Sequence, residues 1–149
     1  MLVIHAIGAC QNNGTPTQQA SAAVSMSYID EYGRIAKRDM TFPLGNNTKN
    51  QADIRALALA LMSVDKSFRK VKCVANITNQ YVTKSISDPS PNLNAEIIKS
   101  LKSWVGYYED LSIIVHKVAD NEELTRLAAL AKETSKTQRG SDTGTIVNG

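Results

Sequence analysis

Few residues of this chain have the capacity for acid–base, nucleophilic or metal chemistry. The histidines are His5 and His116, both within or at the end of apolar, β-branched runs. That setting suits a histidine held by structural hydrogen bonds better than a metal ligand. Cys10 and Cys73 are far apart, form no CxxC pair, and are flanked by small or apolar residues. They read as buried thiols, with no zinc signature and no disulfide framework. Trp104 and the pair Tyr107 and Tyr108 offer rings on which bases can stack. Their spacing places them on a helix, where core packing is the plainer reading. Lys99 and Lys102 flank Trp104 as a solvated helix face would. Arg34, Lys37 and Arg38 form either a basic patch or a charged guard along a strand edge.

These residues need a frame, and the hydrophobic pattern supplies one. The 149 residues suit a single domain of ordinary size, and 42% hydrophobic with 21% charged residues is normal for a globular chain. A net charge of +3 is compatible with nucleic acid and equally with an ordinary solvated surface. No stretch approaches the ~20 apolar residues of a membrane span. The N-terminal run Met1-Leu2-Val3-Ile4-His5 lacks the basic region and long apolar core of a signal peptide. The expectation is a cytoplasmic protein with no membrane partner.

Residues 2–7 read as a buried strand. Residues 11–19, rich in Asn, Gly, Thr, Pro and Gln, read as a loop. Ala22, Val24, Met26 and Tyr28 alternate with Ala23, Ser25 and Ser27, giving a half-exposed strand over 20–28. A turn at 30–33 returns the chain as a third strand over 34–42, which Pro43 and Gly45 are expected to break. Ile54, Leu57, Ala58, Leu61 and Met62 fall at helical spacing over 50–64. A strand over 71–77, a short helix over 80–86, a helix over 94–107, a strand over 111–115 and a closing helix over 120–134 follow. Residues 137–149 are polar and Gly-rich with little to bury, and this composition predicts a disordered tail after a domain covering 1–136. The order β-β-β-α-β-α-α-β-α predicts an α/β fold. Its five-stranded mixed sheet joins an antiparallel hairpin meander to parallel strands, with helices on both faces.

Four segments, in order between residues 2 and 132, make the chain resemble the type 1 ribonucleases H. The family's first strand ends in Asp-Gly-(Ser/Ala)-Cys before an Asn-Pro-Gly-like turn. Here the segment is Ile7-Gly8-Ala9-Cys10-Gln11-Asn12-Asn13-Gly14. The family's Thr-Asn-Asn-Arg-x-Glu-Leu is matched by Thr48-Lys49-Asn50-Gln51-Ala52-Asp53-Ile54. Its Thr-Asp-Ser-Gln-Tyr-Val is matched by Ile77-Thr78-Asn79-Gln80-Tyr81-Val82, with Thr78 at the Asp position. Its Asn-Glu-x-Ala-Asp-x-Leu-Ala is matched by Asn121-Glu122-Glu123-Leu124-Thr125-Arg126-Leu127-Ala128.

The resemblance implies a ribonuclease H-like fold and, for the family, two divalent metals clamped by four carboxylates that activate water. In this chain three of those four positions are Ile7, Thr78 and Thr125, and only Asp53 remains acidic. Magnesium needs hard oxygen ligands. Ile7 offers none, and two threonine hydroxyls do not offset dications. An isoleucine on a central strand also removes a self-repelling acid and adds apolar burial, worth up to ~2–3 kcal/mol. The expectation is a pseudoenzyme with no ribonuclease H activity, no cofactor and no metal. By resemblance, Asn13, Thr48, Asn50 and Gln80 would contact the backbone of an RNA–DNA hybrid or double-stranded RNA. The alternative is that these residues only cap helices and close turns. A protein-interaction scaffold is a further possibility for the same domain. Two other functions stay open. One is a metal-dependent ribonuclease with magnesium or manganese held by Asp53 together with Asp120, Glu122 or Asp30. The other is a structural homodimer paired along the open edge of the third strand.

Overall fold

The structure is a computed structural model and describes residues 1–147. Three long strands come first: β1 (Leu2–Gln11), β2 (Gln19–Ile29) and β3 (Ile35–Gly45). Helix α1 (Lys49–Ser63) precedes β4 (Cys73–Ile77). Helices α2 (Gln80–Ser87) and α3 (Ala95–Gly106) lead to β5 (Leu111–Val115). Helix α4 (Glu122–Thr137) precedes a last strand, β6 (Ser141–Val147). The sheet order is β5-β4-β1-β2-β3-β6. β1, β4 and β5 run parallel, and β1, β2, β3 and β6 form an antiparallel meander.

Alternation along β1 divides the core between the two faces of the sheet. Leu2, Ile4 and Ala6 join Ile54, Leu57 and Leu61 of α1 and Ile98 and Leu101 of α3. Ile7 turns the other way, with Ala23 of β2, onto Leu124, Leu127 and Ala131 of α4. Helices therefore cover both faces, as the element order predicts. β2 is not half-exposed, because α4 covers its second face. Residues Ala20 to Met26 are all buried, and the hydroxyl of Ser21 donates to the carbonyl of Ala131 in α4.

The sheet has six strands rather than the predicted five. The sixth comes from the segment read as a disordered tail. Gln138 adopts a left-handed conformation (φ 53°) that ends α4. Its side chain ties the turn down: Nε2 donates to Ala20 O (3.1 Å) and Gly45 N donates to its Oε1 (3.0 Å). Gly140 then passes so close to β3 that a Cβ there would lie 2.7 Å from Thr41 O. Beyond it, Arg38 holds Asp142 through two hydrogen bonds of 2.8 and 2.6 Å, and the Thr41 and Ser141 hydroxyls meet at 2.8 Å. An edge strand is stabilised by its ladder and cross-strand pairs rather than by apolar burial, so polar composition misled the prediction. The outermost part of the expected tail, residues 148 and 149, lies outside the described residues.

β3 also runs on through Pro43. The proline sits opposite Ser21, where the pairing with β2 shifts register between Ala20 and Ser21. An irregularity of that kind tolerates the missing N–H. β6 occupies the edge of β3 that a structural homodimer would use. Among the described residues, no helix is long and apolar enough to cross a membrane.

Candidate functional site

The site grows from one close approach. Gly8 of β1 lies directly against the first turn of α1, and a Cβ on it would come within 2.6 Å of Ala52 C and 2.7 Å of Asp53 N. Only a residue with no side chain lets strand and helix backbones meet there. The contact brings Gly8 N–H within 2.8 Å of Asp53 Oδ1. Asp53 is 6% exposed and its other partners come from two more segments. Lys49 Nζ, one helical turn back, reaches both carboxylate oxygens at 2.8 and 2.7 Å. Asn79 Nδ2, just after β4, donates to Oδ2 at 2.9 Å and also to Asn50 Oδ1 at 2.8 Å.

The surrounding helices are locked in place. Thr48 and Gln51 form a reciprocal capping box at the start of α1. Asn79 caps α2 by accepting from Tyr81 N (3.0 Å). Asn94, before α3, accepts from Gln51 Nε2 (3.1 Å) and donates to Tyr81 Oη (3.1 Å), so one side chain ties together three helix starts. Asn13 Oδ1 accepts from Lys49 N (3.0 Å), which fixes the β1–β2 loop against the same helix end.

Asn13, Thr48 and Asn50 are thus gathered at one end of the sheet around Asp53. Gln80 is exposed beside them at the start of α2. Asn13 and Thr48 carry clear structural bonds, and Asn50 accepts from Asn79. The side chain of Gln80 makes no hydrogen bond to other described residues.

The positions expected to have lost their acids fall differently. Ile7, 5% exposed, is packed beneath α4. Thr78 is half-buried at the end of β4. Thr125 is exposed, and its hydroxyl donates to Val118 O (2.7 Å) and Asn121 O (3.0 Å). Asp30 sits in the β2–β3 turn, bonded to Arg34 (2.7 Å). Asp120 and Glu122 are exposed near the start of α4. Among the described residues, no three His, Cys, Asp or Glu side chains are grouped so as to hold a metal ion.

Sequence reasoning passed over Lys49 and Asn79, although both left a signal. Lys and Asp four apart on a helix are neighbours, and an Asn before a helix is a natural cap. Of the two histidines, His116 has a side-chain partner. His116 Nε2 and Asn76 Oδ1 are 2.7 Å apart, and Asn76 Nδ2 donates to Ile4 O. Burial holds His5 below its ordinary pKa, against an opposing pull from Glu123. Arg34, Lys37 and Arg38 do not form a free basic patch, because each faces a carboxylate: Asp30, Glu123 and Asp142. Arg126 of α4 grips Asp39 of β3 through two bonds of 2.8 and 3.0 Å and also meets Glu123. That contact holds Glu123 down at about 2.

By sequence, no family profile and no curated protein matches the chain. Solved structures do match by shape. LC9-RNase H1, a type 1 RNase H with the type 2 active-site motif, superposes with a TM-score of 0.79 at 15% identity, over 99% of this chain and 77% of that one. RNase H1 from the halophilic archaeon Halobacterium salinarum gives 0.67 at 20% identity, over 93% and 98%. LC11-RNase H1, solved in complex with an RNA/DNA hybrid, gives 0.69 at 17% identity, over 93% and 99%. At these identities the likeness defines the fold. The chain has the ribonuclease H-like fold.

Proposed function

We infer that the chain is a ribonuclease H-like binding protein without nuclease activity, taking an RNA–DNA hybrid or double-stranded RNA at the end of the sheet around Asp53. The observation that carries this reading is the Lys49–Asp53 pair. Two-metal hydrolysis needs a cluster of carboxylates whose charge is offset by dications. Here the remaining carboxylate is already neutralised from within, by an ammonium on both of its oxygens, and is further bonded by Gly8 and Asn79. Ile7, Thr78 and Thr125 add no charge. This donor set does not fit a pair of magnesium or manganese ions.

Binding is supported by what surrounds the pair. Asn13, Asn50 and Gln80 present neutral donors and acceptors beside the partly exposed Lys49. Such a surface suits shape-based contact with sugars and phosphates. LC11-RNase H1, a neighbour solved with a hybrid, shares the fold over nearly the whole chain.

The test is a paired assay on a labelled RNA–DNA hybrid, following binding and cleavage together in magnesium and in manganese. The expected result is binding that weakens with salt and is reduced by Gln80→Ala, with no cleavage in either metal. Cleavage that disappears in Asp53→Asn would overturn the reading. Absence of both binding and cleavage would also overturn it and point to a protein partner for this domain.

A further inference from the structure

The end of α1 opposite Asp53 carries a second cluster of basic and aromatic side chains. From Asp53 to Ser63 the helix rises about 15 Å, so the two clusters sit near opposite ends of it. A cleft of about 520 Å³ opens there, lined by Lys66, Arg69, Lys70, Trp104, Tyr107 and Glu109. Its walls come from the turn after α1 and the last turn of α3.

Arg69 organises the cleft. Its guanidinium carbon lies 5.3 Å from the Trp104 ring centroid and 5.8 Å from that of Tyr107. The two rings are 5.4 Å apart and tilted by 54°. One guanidinium nitrogen donates to Val64 O (3.2 Å), while Nε is buried with no acceptor among the described residues. Arg34, Arg38, Lys49 and Arg126 each meet a carboxylate. Among the described residues, Lys66, Arg69 and Lys70 are not in an ion pair with any acid. Three cations outside any ion pair therefore converge on one cleft, with Glu109 in its lining and Asp65 acting on Arg69 from the adjoining turn. Tyr107 is 58% exposed, an unusual state for a ring that packing alone would bury.

We propose that this cleft binds a nucleotide, stacking its base on Tyr107 and Trp104 and holding its phosphate with Lys66 and Lys70. Aromatic faces accept any base, and ammonium groups accept any phosphate as point charges. Arg69 keeps the rings in position by stacking. The volume suits a ligand of nucleotide size. The site is independent of the surface around Asp53 and does not rest on the reading given for it.

Trp104 is the only tryptophan in the chain, so its fluorescence reports this cleft directly. The full chain would be titrated with a 5′-mononucleotide and, separately, with a single-stranded oligothymidylate of about eight nucleotides. The expected result is saturable quenching that weakens about tenfold or more in Tyr107→Leu, the loss expected for one stacked base. With the oligomer, the combined variant Lys66→Ala and Lys70→Ala should weaken quenching and lower the salt dependence of log K by about 0.7 per lysine lost. Lys132→Ala, exposed on α4 across the sheet from the cleft, should change neither. Far-ultraviolet circular dichroism confirms that the variants are folded. Equal affinity for the two probes would identify a free nucleotide as ligand, and tighter binding of the oligomer a single strand; both support the proposal. No saturable quenching with either probe, or quenching indifferent to both the Tyr107 and the lysine variants, would overturn it.

Discussion

Lys49 Nζ stands 2.8 Å from one carboxylate oxygen of Asp53 and 2.7 Å from the other. The carboxylate is buried, while 39% of the lysine side chain is exposed. A charge withdrawn from water in this way is tolerated because a counter-charge and neutral donors replace its hydration. Replacing Lys49 with methionine keeps most of the stem and removes the ammonium. We expect Lys49→Met to lower stability by about 1–2 kcal/mol, read as a shift in the urea midpoint. Adding Asp53→Asn to it should recover most of that loss. If the two substitutions are simply additive, the pair is not energetically coupled.

Gly8 and Gly106 make opposite predictions. A Cβ at Gly8 meets Ala52 at 2.6 Å, whereas one at Gly106 meets nothing within 4 Å. Gly8→Ala is expected to cost about 1–3 kcal/mol through overpacking at the β1–α1 contact. Gly106→Ala is expected to be neutral or to stabilise by up to about 1 kcal/mol, by restricting the unfolded chain and improving helix propensity. Parallel thermal melts of the two variants check both signs.

Removing β6 should expose the edge of β3. A chain ending at Gly140 is expected to melt at lower temperature and to show concentration-dependent association, because unpaired strand edges template pairing with other chains. Asp142→Ala alone, which breaks only a solvent-exposed ion pair with Arg38, should leave the melting temperature and the association state close to those of the parent chain. Sedimentation velocity at several concentrations separates the two effects. A truncated chain that stays monomeric with an unchanged melting temperature would show that β6 contributes nothing to the sheet.

Glu123 supplies a pH dependence. Its hydrogen bonds to Arg126 hold its pKa at about 2, below the ordinary 4.5. A carboxylate depressed on folding stabilises the folded state fully above its unfolded pKa, and the contribution is lost as pH falls from about 4.5 toward 2. The side chain is 25% exposed, so solvent screening limits the contribution to about 1 kcal/mol. Glu123→Gln should therefore be less stable than the parent chain at neutral pH, and the difference should shrink below pH 4.5. A difference that stays constant down to pH 2.5 would assign the effect to packing rather than charge.

Much of this architecture is legible in residue order. Apolar spacing over 50–64 and 94–107 marks α1 and α3 because the helical period is a local property. The matched segments around Gly8, Asn50, Gln80 and Asn121 fall at the β1–α1 contact, the α1 and α2 starts, and the α4 cap. Ile7, Thr78 and Thr125 carry no carboxylate, which their identity alone declares. Some features are not legible there. β2 is buried on both faces because α4 crosses it, and nothing within β2 records that crossing.

The sequence by itself determined the order of elements up to α4, the apolar faces that build the core, and the absence of charge at Ile7, Thr78 and Thr125. Each depends on residue type and short-range period, which act before the chain is folded. The closed state of Asp53 and the pairing of β6 depended on tertiary structure. Asp53 gains Gly8 from 45 residues away and Asn79 from 26. The polar Ser141–Val147 segment becomes a strand because β3 offers it a ladder of unpaired backbone groups. Hydrogen bonds between distant segments form only where the fold brings donors and acceptors together, so local composition cannot predict them.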